Sequence, residues 1–157
     1  MFLKYLKNSY VYVIISLPEK PHKLRRLKSV LLVDDDDTTN FLNRFFVKQL
    51  DGNLTVNTMC NGKEAIEFLA SSLDEDSMPC LLILDTNMPV MDGWKFLDTF
   101  EEKFDDHFKK NVVIIMLTAL DTEETTALAM SNPNVTGTAQ KPLSDLKFRV
   151  LINKYFS

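Results

Sequence analysis

Two runs of consecutive aliphatic residues, 30–33, in the stretch that begins at Ser29, and 81–84, each end on acid: Asp34 and Asp35 after the first, Asp85 after the second. Runs of this length, too short for helices and followed by turn residues, predict strands buried on both faces, as in a parallel sheet. A third buried strand is predicted over 112–117, a weakly alternating one over 54–59 and a short one over 135–139. Between them the spacing turns helical. Phe41, Leu42, Phe45, Phe46 and Leu50 mark the inward face of a helix over 38–50, with Asp36, Asp37 or Thr38 as its cap. Ala65, Ile66, Phe68 and Leu69 mark one over 63–73, and a third spans 94–104. The stretch from Asp121 to Glu124 has capping-box spacing and opens a helix to Met130. Leu146, Val150, Leu151 and Tyr155 are expected to face the core from a last helix over 146–156. Five strands alternating with five helices predict an α/β fold, a doubly wound five-stranded parallel sheet covered on both faces.

Composition sets limits on this picture. The 157 residues, 45% hydrophobic and 25% charged, suffice for one domain with a full core and leave no room for a second. The net charge of −4 divides unevenly: residues 1–28 hold seven Lys or Arg and one acid, residues 29–157 eleven and twenty-one. The folded part is therefore acidic, and no direct nucleic-acid partner is expected. Residues 1–28 are read as a basic, partly apolar extension, loosely ordered. Its apolar stretch 10–17 is far short of the roughly twenty residues of a membrane helix, and membrane association is not expected. Cys60 and Cys80 fit no metal spacing or disulfide framework; both read as small buried hydrophobes in a reducing, cytoplasmic setting.

The candidate chemistry lies at the predicted C-terminal strand ends, where open α/β sheets bind ligands. Asp34, Asp35, Asp85, Thr118 and Lys141 all fall there. Clustered carboxylates repel unless a cation sits among them, and an all-oxygen set suits Mg²⁺. A Lys and a Thr hydroxyl facing that metal suit a phosphoryl group, with Asp85 as the nucleophile that would become an aspartyl phosphate. Asp36 and Asp37, one step further from the strand, read as solvated or capping acids.

From Ser29 onward the chain resembles the receiver domain of two-component response regulators, on Val33-Asp34-Asp35, Asp85 with Pro89 and Asp92-Gly93, Thr118-Ala119, and Lys141-Pro142. The resemblance implies sheet order 2-1-3-4-5, a stand-alone receiver over 29–157, and a histidine kinase or phosphotransfer protein as phosphoryl donor. It implies Asp85 as phosphoacceptor and Mg²⁺ at Asp35, Asp85 and the Asn87 main-chain carbonyl, with Asp34 acting through a bound water. Thr118 would bond a phosphoryl oxygen and Lys141 would form the ion pair. Pro89 and Gly93 would shape the loop, and a cis peptide would precede Pro142. Such a domain phosphorylates itself and slowly dephosphorylates rather than turning over a separate substrate, then binds a target protein or passes the phosphoryl on. Where the family carries an aromatic residue three positions before the Lys, this chain has Thr138.

Other classes fit less well. A haloacid-dehalogenase-type phosphohydrolase needs a second acid where Asn87 stands, and an EF-hand read from Asp34 would have Thr39 at its glycine and Phe45 at its glutamate. The remaining alternative is a phosphorylation-independent binding module on the receiver fold; retention of every reactive group speaks against it.

Overall fold

The computed structural model describes residues 3–8, 11–16, 25–119 and 122–157. Within the amino-terminal segment expected to be loosely ordered, β1 (Leu3–Asn8) and β2 (Val11–Ser16) pair antiparallel. The rest of that segment up to residue 24, and Asp121, lie outside the described residues.

From residue 29 the elements run β3 (Ser29–Val33), α1 (Asp37–Leu50), β4 (Thr55–Met59), α2 (Gly62–Ser71), β5 (Cys80–Asp85), α3 (Gly93–Lys103), α4 (Asp106–Lys110), β6 (Val112–Thr118), α5 (Glu123–Met130), β7 (Val135–Gln140) and α6 (Asp145–Tyr155). The sheet order is β4-β3-β5-β6-β7, all parallel, which is the order 2-1-3-4-5 when the five strands are counted alone. Because side chains alternate across a strand, the aliphatic runs feed two cores. Leu31, Val33, Leu82, Leu84, Ile114 and Met116 meet α2, α3 and α5 on one face. Leu32, Ile83, Val113 and Ile115 meet Val47 of α1 and Phe148, Leu151 and Tyr155 of α6 on the other.

Two helices are rotated from the expected setting. On α1 the inward positions are Asn40, Asn43 and Val47, while Phe41 and Phe45 are 68% and 51% exposed and Leu42 is exposed too. Phe46 and Leu50 still pack at the core edge. The rotation follows the Asn40 side chain, whose amide is bonded to main-chain carbonyls at the ends of β3 and β4 and draws its face inward. On α6, Phe148, Leu151 and Tyr155 form the inward stripe at i, i+3 and i+7; Leu146 and Val150 are exposed.

Smaller departures have local causes. The N-cap of α5 is Thr122, in a reciprocal box with Thr125 one residue later than the expected spacing. The polar stretch before β5 contains a 3₁₀ turn, Glu75–Ser77, closed by the Asp74 carboxylate accepting from Ser77 N–H and Oγ–H. The charged loop before β6 holds the short α4, whose Phe108 stacks on Phe104 at 4.4 Å between ring centroids. Cys80 is buried, its thiol pushed up to about 11 by desolvation, whereas Cys60 is exposed. No helix among the described residues is long and apolar enough to cross a membrane.

Candidate functional site

Sheet register brings the expected site residues to one rim. Val33 of β3 pairs with Leu84, so the chain leaves β3 at Asp34 beside Asp85, the last residue of β5. Asp85 pairs with Leu117 and Thr118 with Gln140; Lys141 follows at once and donates its main-chain N–H to Thr118 O at 3.0 Å. The ladder thus sets four residues from four neighbouring strand ends side by side along one rim.

Lys141 Nζ lies 2.8 Å from Asp34 Oδ2 and 3.1 Å from Asp85 Oδ1, bridging the two acids. One carboxylate oxygen from each of Asp34, Asp35 and Asp85 falls within 4.8 Å of the others. Asp34 is buried and held on both oxygens, by Lys141 and by the main-chain N–H of Asp36 at 2.9 Å, whereas Asp35 is exposed. Asp85 accepts at Oδ1 from Thr86 N–H at 2.8 Å as well as from Lys141, and its Oδ2 carries no hydrogen bond among the described residues.

The electrostatics pull in opposite directions. Burial raises the Asp85 carboxyl above its ordinary value and the neighbouring Asp34 adds to this, while Lys141 and Thr86 N–H oppose it without prevailing. For Lys141, burial alone would lower the pKa, but the bonds to Asp34 and Asp85 outweigh it and the ammonium is held above the usual lysine range. Two buried carboxylates share a single ammonium, with a third acid at the mouth. Three oxygen donors at this spacing fit a hard divalent cation that keeps water in its remaining positions, as Mg²⁺ does.

The loop after Asp85 is anchored from several sides. Met88 is buried in the core, Gly93 N–H donates to Thr86 O at 3.0 Å, and Asp92 caps α3 by accepting from Lys95 N–H at 2.8 Å. Gly62 N–H, opening α2, donates to Met91 O at 2.9 Å. Asn87 is exposed on this loop and, with Thr86, Trp94, Thr118 and Leu128, lines a cavity of about 230 Å³ beside the acids. Lys141-Pro142 is a cis peptide.

Two supporting residues escape a reading by apolar spacing. Lys147 Nζ donates to Gln140 O and Pro142 O, each at 2.8 Å, clasping the turn that carries Lys141. Asn40 ties Asp34 O to Met59 O. Its signal is positional: Asn40 and Asn43 continue the stripe of Val47 at i, i+3 and i+7, a polar face that apolar counting passes over.

A family model described as the response regulator receiver domain matches residues 30–153. Among curated proteins, a probable C4-dicarboxylate response regulator of Bacillus subtilis is 29% identical over 131 residues, 83% of this chain but 53% of that protein. The chain thus spans about half the length of that relative. Among solved structures, a two-component response regulator from Cytophaga hutchinsonii is 28% identical, with a TM-score of 0.68 over 83% of this chain and 97% of its own. A chemotaxis response regulator of Vibrio cholerae, 24% identical, shares the fold with a TM-score of 0.66 over 81% and 97%.

Proposed function

Because the chain belongs to the response regulator receiver domain family, we propose that Asp85 accepts a phosphoryl group, in a Mg²⁺-dependent reaction, from a histidine kinase or a histidine phosphotransfer protein. The observation that carries this reading is the convergence of Asp34, Asp35 and Asp85 within 4.8 Å with Lys141 bridging two of them. Asp35, Asp85 and the Asn87 main-chain carbonyl would hold the metal directly and Asp34 through water. When bound, Mg²⁺ supplies positive charge to the phosphoryl oxygens and offsets the repulsion among the carboxylates.

The chain's own groups account for the remaining chemistry. Asp85 Oδ2, free of hydrogen bonds among the described residues, is the oxygen suited to attack phosphorus. The new P–O bond forms as the P–N bond to the donor imidazole breaks, and that nitrogen keeps the electron pair and takes up a proton from water. Lys141, already against Asp85, follows the charge onto the phosphoryl oxygens, and the Thr118 hydroxyl donates to one of them. The aspartyl phosphate is then read by a partner protein or passed onward, in the cytoplasm. Thr138, half-buried on β7, offers little area to bury or expose between states, which suits a modest conformational response.

Calorimetric titration tests the metal assignment. Wild type should bind Mg²⁺, and Asp35→Ala should weaken that binding at least about tenfold, or ~1.4 kcal/mol, while remaining folded. Equal affinity in the two proteins would remove Asp35 from the metal site.

A further inference from the structure

Asn40 lies one turn into α1 and is only 5% exposed, between the ends of β3 and β4. Its Nδ2 donates to Asp34 O at 2.8 Å and to Met59 O at 3.3 Å. With carbonyls on both sides, only the nitrogen end of the amide can face them. The other end, Oδ1, is buried without a hydrogen-bond partner. An orphaned buried acceptor is unfavourable, and an aliphatic side chain facing the core would avoid it. A local rule broken at the edge of a site points to a compensating role there.

The ladder shows what that role is. Pairing of β3 with both neighbours ends at Val33, opposite Met59 and Leu84. Asp34 keeps one further link, its N–H donating to Met59 O at 3.1 Å, but its carbonyl lies beyond the last rung. Asn40 supplies the missing donor from a helix. The peptide it holds joins Asp34 to Asp35. Among the described residues nothing hydrogen-bonds the exposed Asp35 carboxylate, so the peptide that Asn40 holds is the anchor from which that side chain extends.

We propose that Asn40 is a positioning residue for the acidic site: by clamping Asp34 O it fixes the Asp34–Asp35 peptide and so aims the two carboxylates at the metal and at Lys141. The inference rests on the Mg²⁺ reading given above and adds a residue to it that touches neither metal nor phosphoryl group.

The test compares Asn40→Leu, which fills the space without donors, with Asn40→Ala and with Val47→Ala on the same inward stripe of α1, two turns away. All three should lose stability. The two Asn40 variants should raise the Mg²⁺ dissociation constant at least about threefold under conditions where each is fully folded, with amide NMR shifts at Asp34, Asp35 and Met59. Val47→Ala should keep wild-type Mg²⁺ affinity. Should Asn40→Ala fail to fold, Asn40→Leu carries the comparison. Mg²⁺ affinity within twofold of wild type in Asn40→Leu would overturn the positioning role and leave Asn40 a purely structural residue. Absence of Mg²⁺ binding by the wild type would overturn the metal reading, and this inference with it.

Discussion

Replacing Gly93 with Ala should cost about 3 kcal/mol of stability, the upper end for overpacking a filled site, and should abolish phosphoryl acceptance. A Cβ at Gly93 would stand inside the van der Waals shell of Asp85 O and 3.1 Å from Thr86 Cα. Both are main-chain atoms at the end of β5, so no side chain can swing away to make room. The backbone at Gly93 is not in the left-handed region, and the requirement is space rather than conformational freedom. Either α3 shifts outward, breaking the Gly93 N–H bond to Thr86 O, or the Asp85–Thr86 peptide moves and carries the carboxylate away from Lys141. Urea denaturation of Gly93→Ala checks the first effect. Gly62→Ala makes a useful comparison, because its Cβ would meet the Met91 side chain as well as Met91 O, and part of that contact can yield. Gly93→Ala with wild-type stability would show that the helix start has slack that the geometry denies.

Lys141→Ala should destabilise the metal-free protein by about 2 kcal/mol and recover most of that loss on adding Mg²⁺. The variant leaves Asp34 and Asp85, with side chains 3% and 8% exposed, facing each other without their shared ammonium. The full cost of breaking a buried pair is discounted because the lysine side chain is itself 32% exposed. The sign with pH follows from Asp85. Its pKa is already raised in the fold, and removing Lys141 takes away the largest opposing influence. The folded variant therefore binds more protons than the unfolded chain at pH above the ordinary carboxylate value. Its stability relative to wild type falls as pH rises through that range, so the deficit is small near pH 4 and full near pH 7. Thermal melts across that interval, with and without Mg²⁺, measure both effects. Phosphorylation by acetyl phosphate should slow about a hundredfold, the scale of losing one charge-stabilising donor. A deficit that is flat with pH and indifferent to Mg²⁺ would contradict the bridging role.

The strands and the position of the acids at their ends were legible in the sequence for the same reason. A strand buried on both faces cannot hide its aliphatic run, and whatever polar residue ends the run must stand at the sheet rim, as Asp34, Asp85 and Thr118 do. What spacing could not reveal was helix rotation. Apolar counting turned Phe41 and Phe45 inward, but two hydrogen bonds from Asn40 turn that face outward. On α6, Phe148 sets the inward stripe with Leu151 and Tyr155, and Leu146 falls off it. The exposure of Cys60 was equally hidden, since it depends on the turn between β4 and α2 rather than on residue type. Support from Lys147 depends on the path of the turn after β7, and its main-chain acceptors leave no trace in residue identity.

The most direct test of the account is the site of phosphorylation. Wild type and Asp85→Asn are incubated with Mg²⁺ and acetyl phosphate and followed by intact-mass spectrometry, with peptide mapping of any acyl phosphate. Asp85→Asn should melt no lower than wild type, because the fold disfavours the charge it removes. Loss of label then reports chemistry and not unfolding. Wild type should gain one phosphoryl group, mapped to Asp85 and abolished by EDTA, and the variant should gain none. Undiminished label in Asp85→Asn, or label mapped to another residue in wild type, would contradict Asp85 as the phosphoacceptor.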